Sequence, residues 1–194
     1  MLVHVKYDGS NDKTIIMLHG TGGNENDLKQ IASQIDGDAN LIGIRGSEEE
    51  NGMLRYFKRY PDGTFDLKNL AMNTKLLLEG ILELLNYYKL DPSKTTILGF
   101  SNGANIAINM FKEFTTPFAK AILLHPSPVR LEVDVKNQDT LKAFLTYGAN
   151  DPFLSGQDFE NLSKQFKDVT IYTHQGGHQL TYDELEAAKA FYQA

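Results

Sequence analysis

The chain has 194 residues, 41% hydrophobic and 23% charged, which is an ordinary balance for a globular protein with one substantial core. The net charge of −6 without a basic cluster argues against a nucleic-acid partner, and no apolar run is long enough for membrane insertion. The absence of cysteine excludes disulfides, thiolate metal sites and a cysteine nucleophile. No signal peptide is visible, so we expect a cytoplasmic protein with a single domain over residues 1–194.

The first part of the chain alternates short β-branched runs with a helical pattern. We predict strands at 3–7, 14–18 and 41–44, and a helix that opens at Asn26 or Asp27 and continues through Ile35. A glycine loop at 19–23 joins the second strand to this helix. Strands separated by helices favour an α/β fold with a mostly parallel sheet that is flanked by helices on both faces.

Residues 45–66 break this pattern, because charged and aromatic residues follow one another there without clear periodicity. A segment of this length is typical of an excursion over a functional site, although a solvated surface loop is the alternative. Arg55 and Phe57 in this segment are candidate substrate-binding residues, or they brace the loop.

The second part of the chain returns to alternating helices and strands. The spacing of apolar residues predicts helices at 67–88, 102–114 and 155–166, and a closing helix from Thr181 or Tyr182 to Phe191. Thr181 and Glu184 have the spacing of a capping box at the start of that last helix. Further strands are predicted at 95–100, 119–124, 141–147 and 169–172.

Ser101 lies between Gly99 and Gly103, at the point where a predicted strand meets a predicted helix. This is the layout of a nucleophile elbow, in which a serine occupies a sharp turn and neighbouring glycines remove side chains that would collide. The turn also presents the serine hydroxyl at a helix N-terminus, where free N–H groups stabilise an oxyanion. Ser101 is therefore the candidate nucleophile, and a serine cap in a glycine-containing turn is the alternative.

Candidates for a base and an acid follow later strands of the same predicted sheet. Asp151 comes directly after a strand, whereas other acidic residues lie in a helix or a long loop. Of the two histidines that follow Asp151, His178 lies in a glycine-flanked loop and is preferred to His174, which ends a strand. Loops after parallel strands meet at one sheet edge, and the order Ser, Asp, His is that of α/β-hydrolases. The pattern predicts a triad of Ser101, Asp151 and His178.

The glycine loop at 19–23 is a candidate for part of an oxyanion hole. Such a hole takes one backbone N–H from the residue after the nucleophile, here Asn102, and one from the loop after an early strand. In this chain the second donor is Thr21, with Gly22 as the close alternative. A phosphate-binding loop is disfavoured, because neither a P-loop ending nor a dinucleotide-binding glycine frame is present.

These motifs together resemble the phospholipase/carboxylesterase family of α/β-hydrolases, which includes acyl-protein thioesterases and small bacterial carboxylesterases. The matching segments are 18–23, 45–46, 51–59, 63–66, 99–107, 148–152 and 176–180. The resemblance implies the same triad and the same two oxyanion-hole donors. The sequence differs from the usual pattern of this family at the acidic run 47–50, and 125–127 is a segment that varies in the family. These differences leave the substrate class open.

We therefore expect a serine hydrolase that cleaves small-molecule carboxylic esters through an acyl-enzyme, without a metal or a cofactor. Cleavage of thioesters or lysophospholipids by the same site is the first alternative. A non-catalytic ligand receptor on the same scaffold is the second, since fold does not determine function. A homodimer is compatible with the sequence.

Overall fold

The computed structural model describes residues 2–194, which form nine β-strands and five α-helices. The strands are β1 (His4–Tyr7), β2 (Thr14–Leu18), β3 (Asn40–Ile44), β4 (Glu48–Glu50), β5 (Met53–Arg55), β6 (Thr95–Phe100), β7 (Lys120–Leu124), β8 (Lys142–Gly148) and β9 (Val169–His174). The helices are α1 (Lys29–Ile35), α2 (Leu67–Tyr88), α3 (Asn102–Glu113), α4 (Gly156–Ser163) and α5 (Tyr182–Gln193).

Seven strands form one sheet in the order β1-β3-β2-β6-β7-β8-β9. β1 pairs antiparallel with β3, and the other neighbours in this sheet are parallel. Leu18 lies opposite Gly99, and Phe100 lies opposite Leu124, so β2, β6 and β7 end at nearly the same level. The loops that carry the candidate site residues therefore leave the sheet along one edge, where open α/β sheets bind ligands.

Helices cover both faces of this sheet. Apolar residues of α2, α3 and α4 pack on one face, in a core that includes Leu77, Ile106 and Leu162. Residues of α1 and α5, among them Ala32 and Ala188, pack on the other face. The predicted α/β class and the mostly parallel sheet with helices on both faces are confirmed.

Residues 45–66 are more ordered than the sequence suggested, because β4 and β5 form a separate two-stranded hairpin. Its turn is Asn51-Gly52, with φ of 53° and 79°, and two central residues with positive φ are characteristic of a type I′ turn. The dipeptide Asn-Gly signals such a hairpin, but β4 consists of three glutamates and has no apolar alternation. The expectation of a segment without regular structure was wrong for 48–55.

The helix boundaries differ modestly from those predicted. α1 begins at Lys29 rather than at Asn26 or Asp27, and α4 ends at Ser163, three residues short of the predicted end. The N-terminus of α5 has the predicted capping box, in which the Thr181 side chain accepts from the Glu184 N–H and the Glu184 side chain accepts from the Thr181 N–H. Among the helices of residues 2–194, none is long and apolar enough to span a membrane.

Candidate active site

Ser101 occupies a strained turn between β6 and α3. Its φ is 52° and its ψ is −113°, a combination that residues with a Cβ rarely adopt. The two neighbouring glycines allow this turn to pack closely. A Cβ on Gly103 would lie 2.0 Å from the carbonyl oxygen of Leu18, and one on Gly99 would lie 2.7 Å from the amide nitrogen of Ala104. The turn is possible in this sheet because both positions lack a side chain.

Ser101, His178 and Asp151 form a continuous chain of hydrogen-bonding atoms. The Oγ of Ser101 lies 2.8 Å from Nε2 of His178, and Nδ1 of His178 lies 2.6 Å from Oδ2 of Asp151. The other oxygen of Asp151 accepts the backbone N–H of Phe153 at 2.9 Å. Burial alone would raise the pKa of Asp151, but these donors together with His125 outweigh burial and lower this pKa. Asp151 is thereby held as a carboxylate.

Two backbone N–H groups, those of Thr21 and Asn102, are the candidates for an oxyanion hole beside Ser101. Asn102 is the first residue of α3, and the first N–H groups of a helix have no intrahelical partner. Of the two candidates in the glycine loop, Gly22 donates its N–H to the carbonyl of Leu54 at 2.9 Å. Gly22 is therefore engaged elsewhere, and the geometry favours Thr21.

Two buried aromatic residues hold the glycine loop against the segment 45–66. The hydroxyl of Tyr56 donates to the carbonyl of Ile44 at 2.6 Å and accepts the N–H of His19 at 3.0 Å. The ring of His19 donates from Nδ1 to the carbonyl of Gly20 and accepts the N–H of Gly46 on Nε2. Burial lowers the pKa of His19, in agreement with a neutral ring. His19 thus has a scaffolding position beside the site.

A cleft of about 710 Å³ opens in front of Ser101. Phe65, Leu67 and Phe153 form apolar parts of its wall. Three of the four arginines in the sequence also line it, namely Arg55, Arg59 and Arg130. Glutamates pair with all three, since Arg55 and Arg59 share Glu50 and Arg130 pairs with Glu113.

Arg55 lies in the cleft wall, but it is nearly inaccessible, with 3% of its surface exposed. Its Nη1 donates to Oγ1 of Thr21 at 2.8 Å, and its Nε donates to the carbonyl of Phe57 at 3.2 Å. This arginine therefore connects the hairpin strand β5 to the loop that carries an oxyanion-hole candidate.

The structure corrects the prediction that Phe57 contacts substrate. Its side chain is fully buried and does not line the cleft. The ring packs edge-on against Phe65 at a centroid distance of 5.0 Å and belongs to the same core as α2 and α3. Burial of this apolar ring is favourable by about 2 kcal/mol, so an aromatic residue in a polar loop acts here as an anchor.

Sequence reasoning missed two residues behind the triad, His125 and Glu184. The ring of His125 is fully buried and lies 3.1 Å from Oδ2 of Asp151. Its other nitrogen lies 3.3 Å from one carboxylate oxygen of Glu184, which is also fully buried. The signals available in the sequence were a histidine directly after a buried strand and a capping-box glutamate, and neither pointed to a shared network.

Comparisons with known proteins identify the family of this chain. The family model for phospholipase/carboxylesterase matches residues 3–194. MhqD of Bacillus subtilis (strain 168), which is named as a hydrolase, is 38% identical over 194 residues, covering 97% of this chain and 96% of its own.

Solved structures of similar proteins superpose along the whole chain. The crystal structure of the Bacillus cereus carboxylesterase has a TM-score of 0.95 at 36% identity, covering 100% of this chain and 94% of its own. YahD, solved with malic acid, has a TM-score of 0.91 at 33% identity, covering 100% of this chain and 98% of its own. The chain therefore belongs to the phospholipase/carboxylesterase family of α/β-hydrolases and is an enzyme of the carboxylesterase type.

Proposed function

We propose that the enzyme hydrolyses small carboxylic esters through an acyl-enzyme formed on Ser101. The observation that carries this proposal is the alignment of Ser101 Oγ, the His178 ring and Asp151 Oδ2, with consecutive distances of 2.8 Å and 2.6 Å. These are hydrogen-bond distances between a nucleophile and a base, and between that base and an orienting carboxylate.

In the first half of the reaction Ser101 Oγ attacks the ester carbonyl carbon while its proton moves to Nε2 of His178. Asp151 accepts the hydrogen bond from Nδ1–H of His178 and stabilises the imidazolium that forms. His178 then gives the proton from Nε2 to the leaving alcohol oxygen as the carbon–oxygen bond breaks. In the second half water attacks the acyl carbon while its proton moves to Nε2 of His178. His178 then returns this proton to Ser101 Oγ as the bond between the acyl carbon and Oγ breaks, and the carboxylic acid leaves.

The N–H groups of Thr21 and Asn102 would stabilise the oxyanion of the tetrahedral intermediates. Loss of one such donor typically lowers the rate by about 10²- to 10³-fold. Two features support this assignment: the N–H of Gly22 is already bonded, and Asn102 begins a helix whose dipole is positive at that end. The bond from Arg55 to the Thr21 hydroxyl holds the loop beside this position.

The cleft supports a small, neutral or weakly polar substrate. Its volume of about 710 Å³ is in the range of small-molecule sites, and its apolar residues lie beside arginines whose charges are paired with glutamates. Thioesters fit the same geometry and are included in the test for that reason. The cytoplasmic location and the homodimer stay predictions.

A panel of p-nitrophenyl esters with acyl chains of two to about twelve carbons, with matched thioesters, tests this proposal. We expect kcat/KM to be highest for short acyl chains and to fall by at least about 10⁴-fold in Ser101→Ala, given the size of triad effects in serine hydrolases. Equal turnover by wild type and Ser101→Ala would contradict the proposal. Binding of esters without turnover by wild type would favour a receptor instead.

A further inference from the structure

The ring of His125 lies between two buried carboxylates. Nδ1 of His125 is 3.1 Å from Oδ2 of Asp151, and Nε2 is 3.3 Å and 3.4 Å from the two oxygens of Glu184. The ring follows β7, Asp151 follows β8 and Glu184 belongs to α5, so three parts of the chain converge behind the triad. The side chains of all three are 0–1% exposed.

The contacts of this ring indicate its charge. Carboxylate oxygens only accept hydrogen bonds, so a His125 ring that donates to both Asp151 and Glu184 carries two protons. Burial alone would lower the pKa of His125, but the hydrogen bonds and charges of Glu184 and Asp151 outweigh burial and raise this pKa. The carboxylate beside Nε2 shows the matching change: the pKa of Glu184 is lowered despite its burial.

Two further titratable groups face the His125 ring, and neither replaces the carboxylates as its partners. His174 on β9 places Nε2 3.3 Å from Nε2 of His125, and its own Nδ1 accepts the N–H of Gly176 at 2.9 Å. Nε2 of His174 therefore carries a proton and cannot accept from His125, and this N–H faces Oε2 of Glu184 at 3.7 Å as well as Nε2 of His125. His178 lies at a ring-centroid distance of 5.4 Å, and Phe100 contributes only an aromatic edge contact.

The nitrogens of His125 and His174 and the Glu184 carboxylate also lie as close together as metal ligands do. A histidine that binds a metal through one nitrogen donates from the other, usually to a carbonyl or a carboxylate. Nδ1 of His174 instead faces the N–H donor of Gly176, which leaves the proton on the nitrogen that would have to bind the metal. The geometry thus indicates a proton-sharing network.

We propose that His125, charged and held by Glu184, is a positioning residue that shares Oδ2 of Asp151 with His178 and sets the basicity of His178. This inference rests on the proposed function of the triad. Oδ2 of Asp151 receives one N–H from His178 at 2.6 Å and a second from His125 at 3.1 Å. The second, charged donor withdraws negative charge from the carboxylate and opposes a second cation on His178. Activity that uses His178 as a base should therefore extend to lower pH with a charged His125 than with a neutral residue in its place.

His125→Asn is the most informative variant. Its amide can take the place of Nδ1 and keep a hydrogen bond to Asp151 without the positive charge. Asparagine also tolerates the positive φ of 48° at this position. We expect the acid limb of the kcat/KM profile against pH to move upward by about one pH unit, since this limb reports the free enzyme's base. An unchanged acid limb in a folded variant would overturn the proposal.

Two further variants separate this effect from a general loosening of the fold. His125→Asn combined with Glu184→Gln leaves no buried charge unpaired, and glutamine keeps the capping box of α5, so this variant serves if the single one does not fold. It should show the same upward shift. Thr181→Ala removes the other half of the capping box without touching His125, and should lower stability while leaving the acid limb in place.

A measurement of ring protonation tests the charge without turnover. In 15N-labelled wild type at pH 7, long-range 1H–15N spectra should show His125 with both ring nitrogens protonated, assigned by loss of its signals in His125→Asn. A neutral His125 ring would overturn the proposal even if the enzyme is active. Failure of Ser101 to be acylated would instead contradict the proposed function, and it would leave the His125 spectrum as it is.

Discussion

The strained backbone of Ser101 predicts that the nucleophile destabilises the fold that carries it. With φ of 52° and ψ of −113°, a residue with a Cβ has backbone strain that lowers the free energy of unfolding by about 1–3 kcal/mol. Glycine adopts positive φ without this strain. Ser101→Gly and Ser101→Ala both remove the hydroxyl and its bond to His178, so they differ only in the Cβ and in the entropy of the unfolded chain. Glycine loses about 0.5–1 kcal/mol through that entropy.

From these two contributions we expect Ser101→Gly to be more stable than Ser101→Ala by about 1 kcal/mol, with a melting temperature higher by about 2–4 °C. Urea unfolding of both variants, followed by far-ultraviolet circular dichroism at pH 7, measures the difference if the m-values agree. Both variants should be inactive. A Ser101→Gly variant that is equal to Ser101→Ala in stability, or less stable, would refute the account of strain at the elbow.

Two further predictions concern packing and a buried charge. Gly103→Ala places a Cβ 2.0 Å from the carbonyl oxygen of Leu18, so α3 must move away from β2, and urea unfolding should show a loss of about 3 kcal/mol. A loss below about 0.5 kcal/mol, the level of a surface substitution, would contradict the close approach. Burial lowers the pKa of Lys112 to about 8, although two carbonyls of the loop after β7 accept from its ammonium group. Between that pH and about 10.4 the unfolded chain binds more protons, so the stability of wild type relative to Lys112→Met should rise with pH. A pH-independent difference would contradict this.

The parts of the site that depend on local sequence were predictable. Gly99 and Gly103 identify the elbow because their spacing follows from the sterics of one turn. Asp151 and His178 could be placed because Asp151 directly follows one predicted parallel strand and His178 lies in the loop after the next, and the ends of such strands share an edge. The structure brings these residues together at the distances given above.

Other features depend on contacts between distant parts of the chain and could not be deduced locally. Phe57 is surrounded by charged residues in the sequence, yet its ring is buried against Phe65 and α2. His125 and Glu184 are 59 positions apart, and only the folded chain brings Glu184 to His125, and His125 to the Asp151 carboxylate that His178 also contacts. The Asn51-Gly52 hairpin is a different case, because a local signal was present and the acidic composition of β4 obscured it.

The most direct test of the central claim is covalent labelling with a serine-directed fluorophosphonate, followed by mass mapping of the adduct. We expect one adduct on Ser101 in wild type, none in Ser101→Ala, and slower labelling in His178→Ala because the base is missing. The last variant keeps the nucleophile and serves as the control for activation. An unlabelled, folded wild-type protein, or an adduct on another serine, would contradict the claim that Ser101 is the nucleophile of this enzyme.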